Sequence, residues 1–243
     1  MYFEVPGTNL RVLGSLHMFP SGSPPTPNWV TGAYEWCETV VHEHDNAKVL
    51  PCMRSDTPLH ALLLPETWTA LTAALPNDQV RAGFDGLRPW AALLALVGTL
   101  QSTEPGVEDI VLSQAVRDGK PLHALETGDD LRQAFDAAPL VAVEEALNRV
   151  LRDPAQMQPR LEAMYRAWTT RDRAALLEAA SATMMFDNAD LKEAALISRN
   201  RAWAPKVRSL LGTSQRTLVV VGAMHLCGPD NLEECLGVAF RPV

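Results

Sequence analysis

The chain has 243 residues, of which 47% are hydrophobic and 21% charged, and its formal net charge is −8. These values are typical of an ordinary globular protein, and they exclude a wholly disordered chain, a collagen and a coiled coil. The acidic balance also argues against a protein that binds nucleic-acid phosphates, because it offers no basic surplus that could release counterions.

The sequence carries no pattern of secretion or membrane insertion. Neither a basic segment nor an apolar core follows Met1, so no secretory signal is predicted. The longest apolar stretch runs from Trp90 to Leu100, and a bilayer span needs about 20 residues. The four cysteines form no Cys-x-x-Cys pair, which is typical of reduced thiols. We therefore expect a cytoplasmic protein without a membrane partner.

The first half of the chain alternates strand and helix patterns. Branched aliphatic runs bounded by Pro, Gly and Ser predict strands, and three- and four-residue apolar spacing predicts helices. The predicted strands here are Tyr2–Val5, Leu10–Leu16, Thr39–His44 and Pro121–Glu126. The predicted helices are Trp29–Cys37, Pro65–Leu75, Arg88–Leu100 and Val107–Arg117.

The second half is mainly helical and then returns to strands. Helices are predicted at Val141–Leu151, Met157–Trp168, Ala174–Ala182 and Ser198–Leu211. Strands are predicted at Thr217–Gly222 and Val238–Arg241. The strand Thr217–Gly222 has no polar alternation, which is typical of a parallel strand covered on both faces.

These elements predict the fold class. We expect an α/β three-layer sandwich, in which helices flank a central mixed, mainly parallel sheet. Residues 1–243 would form a single domain, and the mostly helical residues 129–197 would be a cap or insertion over the sheet.

Two similar segments end apolar strands and point to a site. Leu13-Gly14-Ser15-Leu16-His17 and Val221-Gly222-Ala223-Met224-His225 both read strand, Gly, two residues, His. Ligands bind beyond the carboxyl ends of strands in open α/β sheets, and a glycine there permits close approach. The two imidazoles are therefore candidates for one site, whereas a single Gly-x-x-His would be a weak signal.

Two carboxylates complete the candidate site. Glu43 lies in the predicted strand Thr39–His44, and Glu126 ends the strand Pro121–Glu126. Acids are uncommon in strands and costly to bury alone, so each is either a site residue or a solvated strand end. Two histidines with one or two carboxylates suit Zn, Mn, Fe or Co. On a strand His42 and His44 face away from Glu43, and we expect both at the surface or rim.

Arg199 and Asn200 are further candidates at the start of a helix. An arginine there could clamp a carboxylate or stabilise a developing oxyanion. Taken alone, the sequence favours an exposed basic residue at this position.

Together the motifs resemble the TraB/GumN family, which includes the Tiki metalloproteases, within the EreA/ChaN-like superfamily. The matching pieces, in order along nearly the whole chain, are Leu13–His17, Val40–Glu43, Gly106–Glu108, Gly119–Pro121, Leu125–Thr127, Arg199-Asn200 with Trp203, and Val221–Leu226 with Gly228. The family's usual Gly-Val-Asp reads Gly106-Val107-Glu108 here.

The resemblance implies a divalent-metal-dependent hydrolase. By matched position, His17 and His225 would be metal or catalytic residues, and Glu43 and Glu126 would be metal ligands or the general base. Arg199 and Asn200 would orient the substrate or stabilise the oxyanion.

The leading hypothesis is therefore a hydrolase that cleaves a peptide or amide bond through metal-activated water, with Mn, Co, Zn or Fe as cofactor. Its partners would be a peptide or a small amide or ester substrate, and a second copy of the chain in a possible homodimer. The alternatives are a non-catalytic peptide- or pheromone-binding protein and a metal-independent hydrolase of the erythromycin-esterase type.

Overall fold

The computed structural model describes residues 1–181 and 186–243. Its strands, numbered in chain order, are β1 (Tyr2–Glu4), β2 (Leu10–Ser15), β3 (Met18–Pro20), β4 (Thr39–His42), β5 (Thr103–Pro105), β6 (Leu122–Ala124), β7 (Thr217–Gly222) and β8 (Arg241–Pro242).

A six-stranded mixed sheet organises the fold, in the order β6-β4-β7-β2-β1-β8. β6, β4, β7 and β2 are parallel to one another, and β1 pairs antiparallel with both β2 and β8. β3 and β5 form a separate antiparallel pair. The predicted mixed, mainly parallel sheet is confirmed.

Helices cover the sheet. They are α1 (Asn28–Trp36), α2 (Asn46–Val49), α3 (Leu59–Leu62), α4 (Pro65–Ala74), α5 (Asp78–Asp85), α6 (Pro89–Thr99), α7 (Val107–Asp118), α8 (Gly128–Asp136), α9 (Leu140–Arg152), α10 (Met157–Thr169), α11 (Arg173–Ser181), α12 (Ala189–Lys192), α13 (Ser198–Leu210) and α14 (Leu232–Leu236). Every residue of β4 and β7 is buried, as expected of central strands covered on both faces. Within the described ranges, no helix is long and apolar enough to cross a bilayer.

The start of α7 lies against the end of β2. Gly106 precedes the helix, and a Cβ at this position would collide with Leu16 O and the backbone of His17. The amide of Val107 donates to Leu16 O at 3.0 Å. Glycine therefore lets the first turn of α7 approach β2 closely, which brings Glu108 beside His17.

The described part of the region between residues 129 and 197 consists of helices joined by short connections. It ends in a π-helical turn, Glu193–Ile197, which continues directly into α13. α10 packs on the sheet, and Trp168 donates from Nε1 to Gly14 O at 2.8 Å. The helix predicted over Ala174–Ala182 is observed as Arg173–Ser181, and Ala182 itself lies outside the described residues.

Two strands end earlier than predicted, which matters for the site. β4 ends at His42 rather than His44, and β6 ends at Ala124 rather than Glu126. Glu43 and Glu126 therefore lie just beyond the strands, where their side chains can turn across the end of the sheet.

Candidate functional site

Four parallel strands deliver predicted site residues to one edge of the sheet. β2, β4, β6 and β7 run in the same direction, so their carboxyl ends lie side by side. One predicted residue follows each strand: His17, Glu43, Glu126 and His225. The convergence expected from the two Gly-x-x-His segments is therefore present in the fold.

Arg199 reaches this edge from α13 and joins the two carboxylates. Its Nη2 donates 2.6 Å hydrogen bonds to Glu43 Oε2 and Glu126 Oε1. Its Nε lies 3.2 Å from both oxygens of Glu126, and its Nη1 donates to Ala195 O at 2.9 Å. Arg199 is buried, so the expectation of an exposed basic residue is wrong. Each guanidinium nitrogen already has an acceptor within the protein.

Glu126 is held by several donors besides Arg199. Trp203 donates from Nε1 to Glu126 Oε2 at 3.0 Å. Nδ1 of His44 lies 3.2 Å from Glu126 Oε1. Both carboxylate oxygens are thus engaged, so a metal bound by Glu126 would have to compete with these contacts.

Gly222 leaves a space at the centre of the site. A Cβ on this residue would lie 3.1 Å from His17 Nε2, 3.2 Å from Glu43 Oε1 and 3.5 Å from His225 Cδ2. The Gly222 amide donates to Glu43 Oε1 at 2.5 Å. Two imidazoles and a carboxylate therefore surround one point that only a glycine keeps free.

Asn200 fixes the orientation and tautomer of His225. Its Nδ2 donates to Asp230 O at 2.9 Å, which directs its Oδ1 to Nδ1 of His225 at 2.7 Å. His225 therefore carries its proton on Nδ1. Its Nε2 lies 3.6 Å from Glu43 Oε1 and 3.3 Å from Nη1 of Arg199. Burial lowers the pKa of His225 to about 3, although Glu43 acts in the opposite direction.

Glu108 performs the corresponding task for His17. Nδ1 of His17 lies 3.0 Å from Glu108 Oε2, which leaves Nε2 facing the space over Gly222. The His17 side chain is 56% exposed, so this side of the site opens to solvent. Partial desolvation opposes the charged ring, but the hydrogen bond to Glu108 and the charges of Glu43 and Glu108 raise the pKa of His17 to about 9.

Glu43 is ionised despite its burial. Burial opposes ionisation, but the charge of Arg199 holds the pKa of Glu43 well below its ordinary value. Carboxylate oxygens and imidazole nitrogens are donor atoms that suit a divalent transition metal.

Glu43, His44 and Glu126 form a group that could hold a metal ion. Ligand atoms of Glu43, His44 and Glu126 all lie within 4.8 Å of one another. Both carboxylates of this set already bind Arg199, so a metal there would have to displace the guanidinium from between them. A metal bound by His17, His225 and Glu43 would leave the Glu126 contacts in place, but Nη1 of Arg199 would have to withdraw from Nε2 of His225, from which it lies 3.3 Å.

His42 and His44 do not both lie at the rim. His42 is buried, and burial lowers its pKa. The expectation of a surface position is wrong for His42, because β4 is a central strand covered on both faces. Among the described residues, the buried side-chain atoms without a hydrogen-bond partner are Ser15 Oγ and His42 Nδ1.

Three residues of the site were not among the predicted ones. Glu108, Trp203 and His44 contact His17 or Glu126 directly. Glu108 and Trp203 belong to the motifs that carry the family resemblance, and that membership was the available signal. For the half-buried His44, its position directly after Glu43 was the only indication in the sequence that it contacts the site.

Comparison with known proteins gives one match. The family model described as the TraB/PrgY/gumN family matches residues 3–237, a range that contains every residue of the site. Neither curated proteins nor solved structures give a significant match.

Proposed function

The chain belongs to the TraB/PrgY/gumN family, and from this membership and the geometry of the site we propose that it is a metal-dependent hydrolase that cleaves a peptide or amide bond. The charge of the buried site carries the proposal. Glu43, Glu108 and Glu126 are buried carboxylates of the site, and the buried guanidinium of Arg199 contacts Glu43 and Glu126. Glu108 pairs with His17, and a His17 ring that binds a metal would be neutral. Buried charges need partners, and a divalent cation would then balance the excess negative charge.

We assign the metal ligands to His17, His225 and Glu43. Both imidazoles are held at Nδ1 by a side-chain oxygen, which leaves Nε2 for a metal. Metal-binding histidines characteristically have such an outer partner, because it sets the tautomer and the ring orientation. A divalent ion would supply polarisation of the substrate carbonyl and a lowered pKa of water.

The other residues hold these ligands in place. Glu108 orients His17, Asn200 orients His225, and Arg199 holds Glu43. Stabilising an oxyanion would require Arg199 to give up one of its present acceptors. We therefore assign Arg199 and Asn200 positioning roles, and we assign Glu126 the role of holding Arg199.

One observation favours a second candidate function. Arg199 occupies the space between Glu43 and Glu126, and the pair of His17 and Glu108 faces the solvent opening. A metal-independent hydrolase would use the neutral ring of His17 as its base and Glu108 to orient it, so its rate would rise with pH towards the His17 pKa of about 9. In that case a chelator would leave the rate of hydrolysis unchanged.

The cysteines support a cytoplasmic location as part of the proposal. Cys37, Cys52, Cys227 and Cys235 are all free. Free thiols are typical of reducing compartments.

The deciding experiment measures metal content by inductively coupled plasma mass spectrometry, on protein purified without a chelator or affinity tag. We expect close to one Mn, Co, Fe or Zn per chain in wild type and loss of it in the His17→Ala/His225→Ala double variant. A peptide library then tests whether hydrolysis follows the metal content.

Two further variants make the result specific. His60→Ala removes an exposed imidazole that pairs with Asp85 outside the site, and we expect it to keep the metal. His44→Ala should also keep it, whereas loss in this variant alone would assign the metal to Glu43, His44 and Glu126. Wild type that neither contains nor takes up metal contradicts the proposal and favours the metal-independent hydrolase.

A further inference from the structure

A groove lies between α8 and α13, and His17 is not among its lining residues. Its volume is about 650 Å³, within the range of ligand pockets. On α8 its lining residues Asp130, Gln133 and Ala134 fall on one helical face, since residues three and four apart are neighbours there, and Ala137 follows directly after the helix. The facing wall comes from α12, the π-helical turn and α13.

Short side chains line both walls of the groove. They belong to Ala134, Ala137, Ala138, Ala194 and Ala202. Because each side chain ends at Cβ, the two walls leave room between them. An aliphatic chain laid between these alanines would bury apolar surface against them.

The charges around the groove are mainly negative. Four carboxylates line it against two basic side chains. Asp130 is engaged in capping α8, and Glu193 also pairs with Arg201 at 3.0 Å. Asp190 is exposed at the groove. The charge of a complementary ligand is therefore positive.

The groove shares residues with the site. Glu126, Arg199 and Trp203 line it and also form the hydrogen-bonded centre described above. A chain bound along the groove would therefore run up to the ion pair that holds Glu43. This places the groove next to the proposed position of the reacting bond.

We propose that this groove binds a basic side chain, lysine or arginine, of the peptide substrate. The aliphatic stem lies along the alanines of the groove and the charged end reaches Asp190, beside Glu193, whose carboxylate is shared with Arg201. Such side chains bury their methylene groups while keeping the charge in a polar environment. The inference rests on the proposed function, because it takes the substrate to be a peptide.

The test measures peptide binding by isothermal titration calorimetry on the full chain. The probes are three capped alanine peptides that differ only in a central lysine, norleucine or glutamate. A chelator is present, so that binding is measured without hydrolysis. We expect the lysine peptide to bind about tenfold more tightly than the norleucine peptide, and the glutamate peptide to bind most weakly. Added salt should reduce the advantage of lysine.

Three variants locate the binding. Asp190→Asn should reduce the preference for lysine over norleucine at least about threefold, whereas Glu145→Gln, at an exposed position on α9, should leave it unchanged. Ala202→Leu fills the groove and should abolish binding of all three peptides.

Equal binding of the lysine and norleucine peptides overturns the proposal, as does absence of binding or a preference that Asp190→Asn leaves intact. These outcomes are distinct from failure of the proposed function. A chain that prefers lysine but contains no metal would be a peptide-binding protein, and a metal-containing hydrolase without the preference would have its specificity elsewhere.

Discussion

The two Gly-x-x-His segments have the same spacing and very different surroundings. The side chain of His17 is 56% exposed and that of His225 is 3% exposed. After His17 the chain enters the outer β3–β5 pair, whereas His225 is covered by α13 through Asn200 and Trp203.

The contrast shows that distant segments decide what each histidine does. Glu108 meets His17 because α7 starts beside β2, and Asn200 meets His225 because α13 crosses the end of β7. One ring gains a carboxylate partner and the other a neutral amide. A repeated motif thus produces two imidazoles with opposite shifts in pKa.

The largest expected difference between the two histidines is in their titration. In chelator-treated protein we expect the ring of His17 to titrate near pH 9 and that of His225 to stay neutral down to about pH 3. Proton NMR of the imidazole signals, assigned with His17→Gln and His225→Gln variants, measures both.

A matched variant tests whether the charge of Glu108, rather than the exposure of His17, raises the pKa of His17. Glu108→Gln removes the negative charge but keeps an oxygen acceptor, and we expect the pKa of His17 to fall towards its ordinary value. Equal titration of the two rings in wild type would contradict the comparison.

The next largest effect is on stability and comes from Arg199, the cation that pairs with the buried carboxylates of the site. Arg199→Met leaves Glu43 and Glu126 buried without their guanidinium, and breaking a buried pair in this way costs about 3–5 kcal/mol. Urea unfolding of the metal-free protein measures the loss in the free energy of unfolding.

Arg201→Met is the control on the same helix. The side chain of Arg201 is 57% exposed, and surface substitutions usually change stability by at most about 0.5 kcal/mol. Similar losses in the two variants would mean that Arg199 is not the counter-charge of the buried carboxylates.

The smallest effects are expected from alanine substitutions at the glycines of the two Gly-x-x-His segments, Gly14 and Gly222. A Cβ at Gly14 would lie 3.0 Å from Leu226 Cδ1 and 3.2 Å from Ala223 Cα. Overpacking of this kind costs about 1–3 kcal/mol, so Gly14→Ala should lower the free energy of unfolding and leave the metal content unchanged.

Gly222→Ala should do the reverse. Its φ of −51° suits alanine, and the nearest atoms belong to the side-chain ends of His17 and Glu43. We expect little loss of stability but a metal affinity weakened at least about tenfold. Metal titration of both variants measures the affinity. An unchanged metal affinity in Gly222→Ala would show that the metal does not bind in the space over Gly222.

The sequence was sufficient for the sheet and for part of the site. Apolar runs located β1, β2, β4, β6 and β7, whereas the strand predicted at Val238–Arg241 is observed as Arg241–Pro242 and β3 and β5 were not predicted. The shared edge of parallel strands brought together the four residues after β2, β4, β6 and β7. It was insufficient for the burial of Arg199 and for the partner of His17, because both depend on how a helix packs against a remote strand. The predicted surface position of His42 was wrong for a related reason. Side chains alternate between the two faces of a strand, but both faces of β4 are covered, so the alternation does not show which residues are exposed.

The π-helical turn before α13 has a consequence for how this segment can change during evolution. An α-helix advances about 100° per residue, and a π turn contains an additional residue relative to an α turn. Deleting one residue from Glu193–Ile197 would rotate Arg199, Asn200 and Trp203 together, away from Glu126 and His225. Related chains can therefore exchange residue types within this turn, but an insertion or deletion there would remove the contacts of three site residues at once.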